Sequence, residues 1–459
     1  MQEIITVNPA NGTELYRYRP MTNAEIEDRL TAAAAAHADW RRVDVRRRCE
    51  VLSEVARLLR AKQEQLARLA VAEMGKPIAE ARAEVEKCAW VCDYYAAEAP
   101  RALADDIVEA VGSRSWISYE ALGIVLAVMP WNFPFWQVFR FAAPALAAGN
   151  AVLLKHSPNV SGCAVAVQEV FIEAGLPAGL FTTLLIAEAE VPETVSRLVS
   201  DERIAAVTLT GSNQAGAHVA AAAGRAVKKS VLELGGSDPF VVLDDADIEN
   251  AVTGAVASRF VNSGQSCLAA KRFLVHWSLL DTFSERFAEA VGRLQVGDPM
   301  DPATRIGPLA RADLAAALHK QVEAAIRAGA RALVGGGLMD RGPAWYAPTV
   351  LADVTPDMPV MTEETFGPVA AVIPFEDDED AVRLANLTPY GLGASVWSRN
   401  EERALALGRK IQSGALFVNA VVASDPRLPF GGVKHSGYGR ELGTAGAREF
   451  TNVRTVVVT

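Results

Sequence analysis

A cysteine and a glutamate, each close to glycine, are the side chains of this sequence best suited to covalent chemistry. Cys267 ends the run Asn262–Cys267 (NSGQSC), and Glu233 lies 34 residues earlier, two positions before a pair of glycines. A thiolate can attack a carbonyl carbon, and a carboxylate can activate the water that hydrolyses the resulting acyl intermediate. Taken alone, such a cysteine is more often a buried apolar residue and such a glutamate a surface carboxylate. Acyl chemistry is therefore predicted only if further groups accompany them.

Two more stretches supply groups of that kind. Asn132 lies between two prolines in Pro130–Pro134 (PWNFP), directly after an apolar run, where its amide could donate to a developing oxyanion. Gly211-Ser212 also follows an apolar run and opens a helical pattern, so its amides and the helix dipole could hold a pyrophosphate. Each motif has an ordinary alternative, namely a turn asparagine and a common Gly-Ser turn.

The elements that must position these groups alternate between apolar strands and helices. The first series of strand-like runs spans residues 123–129, 151–155, 180–186 and 204–210, separated by helical patterns at 160–174, 192–200 and 213–223. A second series follows Glu233 at residues 240–243, 272–276, 368–375, 393–397 and 415–418. Continuous apolar strands spaced by helices predict parallel sheets covered on both faces, here two doubly wound α/β units in tandem.

The chain before residue 100 is predicted to be helical. Thr22 and Glu25 form a capping box for a helix that runs to Trp40. A second helix is predicted from Asp44 to Gly75, and a third is predicted to end before Pro100. Residues 115–119 and the C-terminal residues 449–459 both have strand patterns. The second of these is expected to pair elsewhere in the fold or with another subunit.

Composition excludes several classes of function. The 459 residues are 50% hydrophobic and carry a formal charge of −10, which disfavours nucleic acid as a partner. The N-terminal residues lack the pattern of a signal peptide, and the longest apolar run, residues 121–129, is too short to span a bilayer. We therefore expect no membrane partner and a cytoplasmic location.

The five cysteines form neither a disulfide pattern nor a metal site. An odd, sparse set in a large chain argues against a disulfide framework. Cys88 and Cys92 could share one helical face, but no other ligand lies near them in sequence, so core packing is expected and no metal.

Five motifs together resemble the NAD(P)-dependent aldehyde dehydrogenase superfamily over essentially the whole length. They occur in family order at residues 130–134, 233–236, 262–267, 364–368 and 429–432. The resemblance implies the α/β aldehyde dehydrogenase fold, with a Rossmann-like cofactor domain (1–102 and 122–234) and a catalytic domain (235–435). It also implies a small β oligomerisation element (103–121 and 436–459) and assembly as a homodimer or homotetramer.

The resemblance assigns catalytic roles residue by residue. Cys267 matches the nucleophile, while Asn132 and the backbone N–H of Cys267 match the oxyanion hole of the thiohemiacetal. Glu233 matches the general base for hydrolysis of the thioester. Glu441 matches a second carboxylate, either a proton relay or a partner in a structural salt bridge to a helix.

The resemblance also assigns a cofactor site for NAD, with NADP possible. The matching positions are Trp131, Gly211, Ser212 and Leu234 along the dinucleotide, Lys155 and Glu364 at ribose, and Phe366 beside the nicotinamide. The residue three after the lysine is often a carboxylate that repels a 2′-phosphate. Here it is Pro158, which removes that repulsion without adding a cation.

The substrate site resembles that of bacterial succinate-semialdehyde dehydrogenases, specifically a shorter branch. Arg140 matches the arginine that binds the substrate carboxylate, with a surface helix arginine as the ordinary alternative, and Ser424 matches a serine used there. A second substrate arginine is replaced by Val261, and a common lysine after Arg140 is replaced by Phe141. Trp136 and Phe135 would suit apolar or aromatic aldehydes, which leaves a broad-specificity enzyme as the alternative.

Three other functions fit the sequence less well. A CoA-acylating dehydrogenase would lack the general base, which Glu233 supplies. A non-catalytic, crystallin-like protein would not need Cys267, Glu233 and Asn132 together. A Cys/His hydrolase has no sequence context that ties the nearest histidine, His276, to the thiol.

Overall fold

Residues 2–459, which the computed structural model describes, form 18 strands and 15 α-helices. The strands are β1 (Ile4–Val7), β2 (Glu14–Tyr18), β3 (Asp106–Ile107), β4 (Arg114–Ala121), β5 (Ile124–Met129), β6 (Ala151–His156), β7 (Phe181–Thr183), β8 (Ile204–Thr210), β9 (Lys229–Glu233), β10 (Asp238–Val242), β11 (Ala270–His276), β12 (Arg331–Val334), β13 (Thr349–Ala352), β14 (Val369–Phe375), β15 (Gly393–Trp397), β16 (Ala415–Val418), β17 (Gly437–Tyr438) and β18 (Thr451–Val458).

The helices lie between these strands and at the N-terminal side of the chain. They are α1 (Asn23–Trp40), α2 (Val45–Ala61), α3 (Gln63–Met74), α4 (Ile78–Ala102), α5 (Trp136–Ala147), α6 (Ser161–Glu173), α7 (Val191–Ser200), α8 (Asn213–Arg225), α9 (Ile248–Phe260), α10 (Leu280–Gly292), α11 (Ala312–Arg327), α12 (Pro359–Thr362), α13 (Asp378–Asn386), α14 (Glu401–Gly408) and α15 (Gly443–Glu449).

Two mostly parallel sheets confirm the predicted α/β fold. One sheet has the order β17-β9-β8-β5-β6-β7, with β17 antiparallel at its edge. The other has the order β12-β13-β14-β11-β10-β15-β16, with β12 antiparallel at its edge. The central strands β5, β6 and β10 are buried almost throughout, as expected for sheets with helices on both faces.

A third sheet, of order β18-β4-β3, contains the C-terminal strand. The partner of β18 is β4, in antiparallel register from Thr451 opposite Ala121 to Val458 opposite Arg114. The expectation of a partner elsewhere in the fold is therefore confirmed. The other edge of β18 has no neighbouring strand within residues 2–459.

Two helix predictions are wrong. The segment from Asp44 to Gly75 is not one helix, because the chain leaves helical geometry at Lys62 (φ −101°, ψ 10°) and both halves turn to pack on α4. The third helix does not end before Pro100 but continues to Ala102. Pro100 has no backbone N–H, so the last turn loses one hydrogen bond. The methyl groups of Ala99 and Ala102 are buried in the core, and this burial favours continuation of the helix.

Several short or polar strands were not predicted from the sequence. The N-terminal hairpin of β1 and β2 was not predicted, nor were β9, β12, β13 and β17. β9 is amphipathic, with an exposed lysine at its start and a buried Glu233 at its end, so it lacks the continuous apolar run of its neighbours. Cys88 and Cys92 are fully buried among apolar side chains, which confirms their packing role.

The domain boundaries given above remain a prediction. Gly437 and Tyr438, assigned there to the oligomerisation element, pair with β9 in the six-stranded sheet. None of the helices in residues 2–459 combines the length and apolar character needed to cross a membrane.

Candidate active site

The carboxyl edge of the six-stranded sheet brings together four of the predicted site segments. Asn132 follows β5, Lys155 lies at the end of β6, Gly211 follows β8, and Glu233 ends β9. The N–H of Gly211 donates to the carbonyl of Glu233 at 3.0 Å, which fixes the ends of β8 and β9 side by side. Ligands of doubly wound sheets bind at this edge.

The loop that carries Cys267 connects α9 to β11 and has unusual backbone geometry. Asn262, Ser263 and Gly264 all have positive φ, between 53° and 75°. A Cβ at Gly264 would lie 2.3 Å from the carbonyl oxygen of Gly367, and the N–H of Gly367 donates to Gly264 at 3.1 Å. Glycine is therefore needed here for a close backbone approach.

A buried arginine joins this loop to the segment that carries Glu364 and Phe366. Arg259, at the end of α9, donates from Nε to the carbonyl of Val369 at 2.6 Å and from Nη2 to that of Thr365 at 3.0 Å. Its guanidinium is fully buried, and burial lowers its pKa to about 9. The segments around Cys267 and Phe366 are thus fixed to one another.

Asn132 contacts the nucleophile loop directly. Its Nδ2 donates to the carbonyl of Gln265 at 3.2 Å, and Nδ2 of Asn262 donates to the carbonyl of Asn132 at 2.7 Å. The sheet edge that holds Asn132 is therefore held against the loop that holds Cys267, which brings together two residues distant in sequence.

The Cys267 side chain is partly exposed at the pocket. The thiol is nevertheless largely removed from water, which raises its pKa to about 12, while the cations of Lys271 and Arg140 act in the opposite direction. Lys271 is itself fully buried, and its Nζ donates to the carbonyls of Ser266 (3.0 Å) and Cys267 (2.5 Å). Sequence reasoning missed Lys271, although a lysine four residues after a candidate nucleophile is a recognisable signal.

Glu233 is a buried carboxyl group with a raised pKa. Burial is the main cause; the nearby Arg140 lowers the pKa and Glu441 raises it. Neither carboxylate oxygen of Glu233 has a hydrogen-bond partner within residues 2–459. A carboxyl group that takes up a proton readily and has unused oxygens suits a general base.

Arg140 and Glu441 lie together. Their side chains form an ion pair, each only 2% exposed, and Nη2 of Arg140 donates to Oγ1 of Thr210 at 3.3 Å. The guanidinium also lies 4.6 Å from the ring centroid of Phe430. Glu441 thus forms a salt bridge to a helix, as one of its two predicted alternatives has it, and the proton relay stays a prediction.

A pocket of about 240 Å³ opens onto Cys267 from the side of α4 and α5. Three predicted substrate residues line it, namely Arg140, Trp136 and Ser424, and so does Val261. Phe135 does not line the pocket as expected for an apolar substrate contact. It is fully buried in the core, and the ring of Phe133 faces the pocket instead.

Lys87 also lines this pocket and was missed by sequence reasoning. Its Nζ donates to Oγ of Ser424 at 2.8 Å and lies 4.4 Å from the ring centroid of Trp136. Glu80, Glu84 and Lys87 follow the i, i+4, i+7 spacing of one helix face on α4, and all three line the pocket. The helix carries several other charged residues, among them Arg82 and Glu86, so this spacing did not single out Lys87 in the sequence.

The predicted nicotinamide-side residues lie where the two sheets meet. The rings of Trp131 and Phe366 are edge-to-face, with centroids 5.7 Å apart. Oε1 of Glu364 accepts from the N–H of Gly236 at 3.0 Å. Trp131 follows β5 of the six-stranded sheet, whereas Glu364 and Phe366 precede β14 of the seven-stranded sheet. Each of the two α/β units therefore forms one wall of the candidate cofactor cleft.

The remaining predicted cofactor residues lie along the edge of the first sheet. Ser212 caps α8 by accepting from the N–H of Ala215 at 3.3 Å, and Leu234 packs close to Gly216 of the same helix. Pro158 begins a single 3₁₀ turn directly after β6. Lys155 is largely buried, which lowers its pKa to about 8, and Glu188 supplies the neighbouring negative charge.

Glu188 is a further residue that sequence reasoning missed. It lies in the short 3₁₀ turn after β7, next to the end of β6 in the sheet order. A carboxylate near Lys155 is thus supplied by the neighbouring loop, although position 158 carries proline. Among residues 2–459, no group of three or more His, Cys, Asp or Glu side chains is arranged to hold a metal ion.

Comparison with known proteins gives the same assignment over the full length. A family model described as the aldehyde dehydrogenase family matches residues 1–456. A probable succinate-semialdehyde dehydrogenase (NADP(+)) of Synechocystis sp. is 49% identical over 453 residues, covering 99% of each chain. A succinate semialdehyde dehydrogenase (NAD(P)+) of Escherichia coli is 48% identical, covering 98% of this chain and 97% of its own.

Solved structures agree with these relatives. The succinic semialdehyde dehydrogenase of Streptococcus pyogenes in complex with NADP+ superposes with a TM-score of 0.96 at 37% identity, covering 99% of both chains. The predicted fold and the resemblance stated from the motifs are confirmed. Because the family model and these relatives cover almost every residue, the chain belongs to the aldehyde dehydrogenase family.

Proposed function

We propose that this protein oxidises succinate semialdehyde to succinate with NAD(P)+, through a covalent intermediate on Cys267. The observation that carries the proposal is the position of Cys267. Its thiol faces a pocket that also contains Arg140, Lys87 and Ser424, and its loop is bonded to Asn132 at the edge of the first sheet. A nucleophile thus lies between a cation-bearing pocket and a dinucleotide cleft.

The residues of the cleft fit a nicotinamide dinucleotide. The buried ammonium of Lys155 suits ribose hydroxyls, and the first amides of α8, after Gly211 and Ser212, suit a pyrophosphate. When bound, the cofactor supplies the hydride acceptor for the oxidation. Glu188 would disfavour a 2′-phosphate beside Lys155, so we propose NAD as the preferred cofactor with NADP accepted.

Three residues carry the covalent steps in this proposal. The Cys267 thiol releases its proton to solvent, its sulfur bonds to the aldehyde carbon, and the π electron pair of the carbonyl moves to oxygen, where Nδ2 of Asn132 and the N–H of Cys267 donate to the oxyanion. After the hydride has left the carbon, the acyl group is a thioester of Cys267. Glu233 takes a proton from water, the resulting hydroxide attacks the thioester carbon, and the acid leaves as the thiol is restored.

The choice of substrate rests on the relatives and on the charge in the pocket. Proteins nearly half identical over the full length are named for succinate semialdehyde. A remote carboxylate on the substrate would meet the cations of Lys87 and Arg140.

A second candidate is a broad-specificity aldehyde dehydrogenase. It is favoured by the apolar part of the pocket, where Trp136, Val261, Leu268 and Val422 would suit uncharged aldehydes. A CoA-acylating enzyme is disfavoured by the unbonded carboxylate of Glu233 beside the site, and a non-catalytic role by the joint presence of Cys267, Asn132 and Glu233.

A steady-state panel tests the proposal. Succinate semialdehyde, glutarate semialdehyde, propanal and benzaldehyde are each measured with NAD and with NADP. We expect the highest kcat/KM for succinate semialdehyde, with NAD ahead of NADP. Equal kcat/KM for charged and uncharged aldehydes would favour the broad-specificity candidate, and no reduction of either cofactor would refute the function.

We also propose that the protein forms a homodimer or homotetramer through the three-stranded sheet. Within residues 2–459 no strand pairs with the outer edge of β18, and its Val453 and Val457 side chains are exposed. Unpaired strand edges with apolar side chains favour pairing with another chain. Light scattering on the purified protein tests this, and a monomer at all concentrations would refute it.

A further inference from the structure

We propose that Lys87 and Ser424 together form the receptor for the remote carboxylate of the substrate, and that Lys87 takes the place of the arginine absent at position 261. This inference rests on the proposed function. It adds a residue of α4 to the specificity of the pocket, whereas the motifs in the sequence direct attention to α5 and Arg140.

The ammonium of Lys87 is oriented and still has donors to offer. Ser424 accepts one hydrogen at 2.8 Å, and the ring of Trp136 lies beneath the charge. An ammonium has three donors, so two remain for a carboxylate in the pocket. Ser424, whose oxygen accepts from Lys87, keeps its own O–H to donate to the same ligand.

Arg140 is already committed to protein groups. Its guanidinium is paired with Glu441, bonded to Thr210 and placed against the ring of Phe430. A substrate carboxylate that bound Arg140 would compete with a buried carboxylate for the same charge. No protein partner is recorded for Nη1 of Arg140 within residues 2–459, and Arg140 lines the pocket, so it can still donate to the carboxylate. Lys87 adds a second cation with more donors left over.

The acidic groups near Lys87 are engaged elsewhere. Glu84 is paired with Lys76 and accepts from the N–H groups of Phe135 and Trp136, each at 2.9 Å. Glu80 accepts from the N–H of Asn262 at 2.5 Å. Asp425 is paired with Arg427 at 2.6 Å. None of these carboxylates forms an ion pair with Lys87 in residues 2–459, so its charge is open to an anionic ligand.

The spacing along α4 suits a short dicarboxylate-like chain. Glu80 is bonded to the nucleophile loop, and Lys87 lies two helical turns further on, a rise of about 10 Å. The substrate and the aliphatic part of the Lys87 side chain together fill this distance. The substrate's aldehyde then lies at Cys267 and its carboxylate at the Lys87 ammonium. An aldehyde with a charged group several carbons from the carbonyl is the class of substrate that fits.

The test compares two substrates of equal carbon number, succinate semialdehyde and butanal, which lacks the carboxylate. The variants are Lys87→Met and Lys87→Arg, with Arg101→Met as the control, since Arg101 is an exposed cation near the end of the same helix. The quantity measured is the ratio of kcat/KM for succinate semialdehyde to that for butanal, with NAD.

We expect Lys87→Met to lower this ratio about tenfold or more, mainly through KM for succinate semialdehyde, because a hydrogen bond to a charged group is lost. Lys87→Arg should restore most of the ratio, and Arg101→Met should leave it unchanged. A ratio in Lys87→Met equal to that of the unmodified protein would overturn the assignment.

Two further measurements keep the inference testable if Lys87→Met does not fold. Ser424→Ala should lower the same ratio, and inhibition by succinate against succinate semialdehyde should weaken in Ser424→Ala while Lys87→Arg, which keeps the positive charge, retains most of it. If neither the ratio nor the inhibition changes in Ser424→Ala, the receptor lies elsewhere. Failure of the unmodified protein to oxidise either aldehyde would instead refute the proposed function, so the two failures are distinguishable.

Discussion

The guanidinium of Arg140 and the carboxylate of Glu441 form an ion pair from which solvent is almost completely excluded. Each side chain is 2% exposed, and both lie near Glu233, whose pKa they shift in opposite directions. The pair links α5 to the segment between β17 and α15. One arginine thus balances two buried carboxyl groups beside the candidate nucleophile.

Replacing only one member of this ion pair should destabilise the protein strongly. Removing one partner leaves an uncompensated buried charge, which costs about 3–5 kcal/mol. We expect Arg140→Met and Glu441→Gln each to lower the urea midpoint of unfolding, and the double variant to lose much less than the sum. Additive losses in this cycle would show that the two side chains do not interact.

The charge of Lys87 should make substrate selectivity depend on pH. Burial, followed by the nearby cation of Arg140, lowers the pKa of Lys87 to about 8, whereas Asp425, Glu84 and the Cys88 sulfur act to raise it. A lysine is charged below its pKa and neutral above it. The ratio of KM for succinate semialdehyde to KM for butanal should therefore rise as the pH passes upward through about 8.

In the ratio of the two KM values, the effect of any group whose titration changes both substrates equally cancels, and Cys267 is such a group. The Lys87→Arg variant is the matched control, since its guanidinium stays charged over the whole range. A ratio that does not change with pH in the unmodified protein would contradict a titrating lysine at the carboxylate.

Lys271 should govern the reactivity of the thiol. Among the neighbouring charges, its ammonium lowers the pKa of Cys267 the most. The same ammonium donates a hydrogen bond to the backbone carbonyl of Cys267. Lys271→Met should slow alkylation of Cys267 by iodoacetamide about tenfold at mildly alkaline pH, because a rise of one pKa unit removes nine-tenths of the thiolate.

Alkylation reports on this residue because the other four cysteines are buried and Cys267 is partly exposed. Lys62→Met, at a surface ion pair, is the control and should alkylate at the unmodified rate. An unchanged rate in Lys271→Met would exclude an electrostatic role.

The sequence predicted the fold and the grouping of the site residues for identifiable reasons. Continuous apolar strands marked both sheets, and five motifs in family order marked the site residues. The partner of Glu441 in its salt bridge could not be predicted, because Arg140 and Glu441 are 301 positions apart and meet only through tertiary packing. Lys87 was overlooked for the same reason, since Ser424 reaches α4 from the far end of the chain.

The break at Lys62 and the continuation of α4 past Pro100 show a second limit of predicting structure from the sequence. Local propensity favours one long helix in the first case and an early end in the second. Packing of both helix halves on α4, and of Ala102 in the core, decided otherwise. Sequence patterns report local preference, and buried contacts can override it.

The central claim is that an acyl group forms on Cys267 and leaves to water through Glu233. The most direct measurement is the transient formation of NADH by Glu233→Gln, followed by intact-mass and peptide analysis, with Cys267→Ala as the control. We predict a burst of one NADH per active site, then a stall, with a succinyl group on the peptide that contains Cys267 and none in Cys267→Ala. Continuous turnover of Glu233→Gln with no adduct would contradict the account.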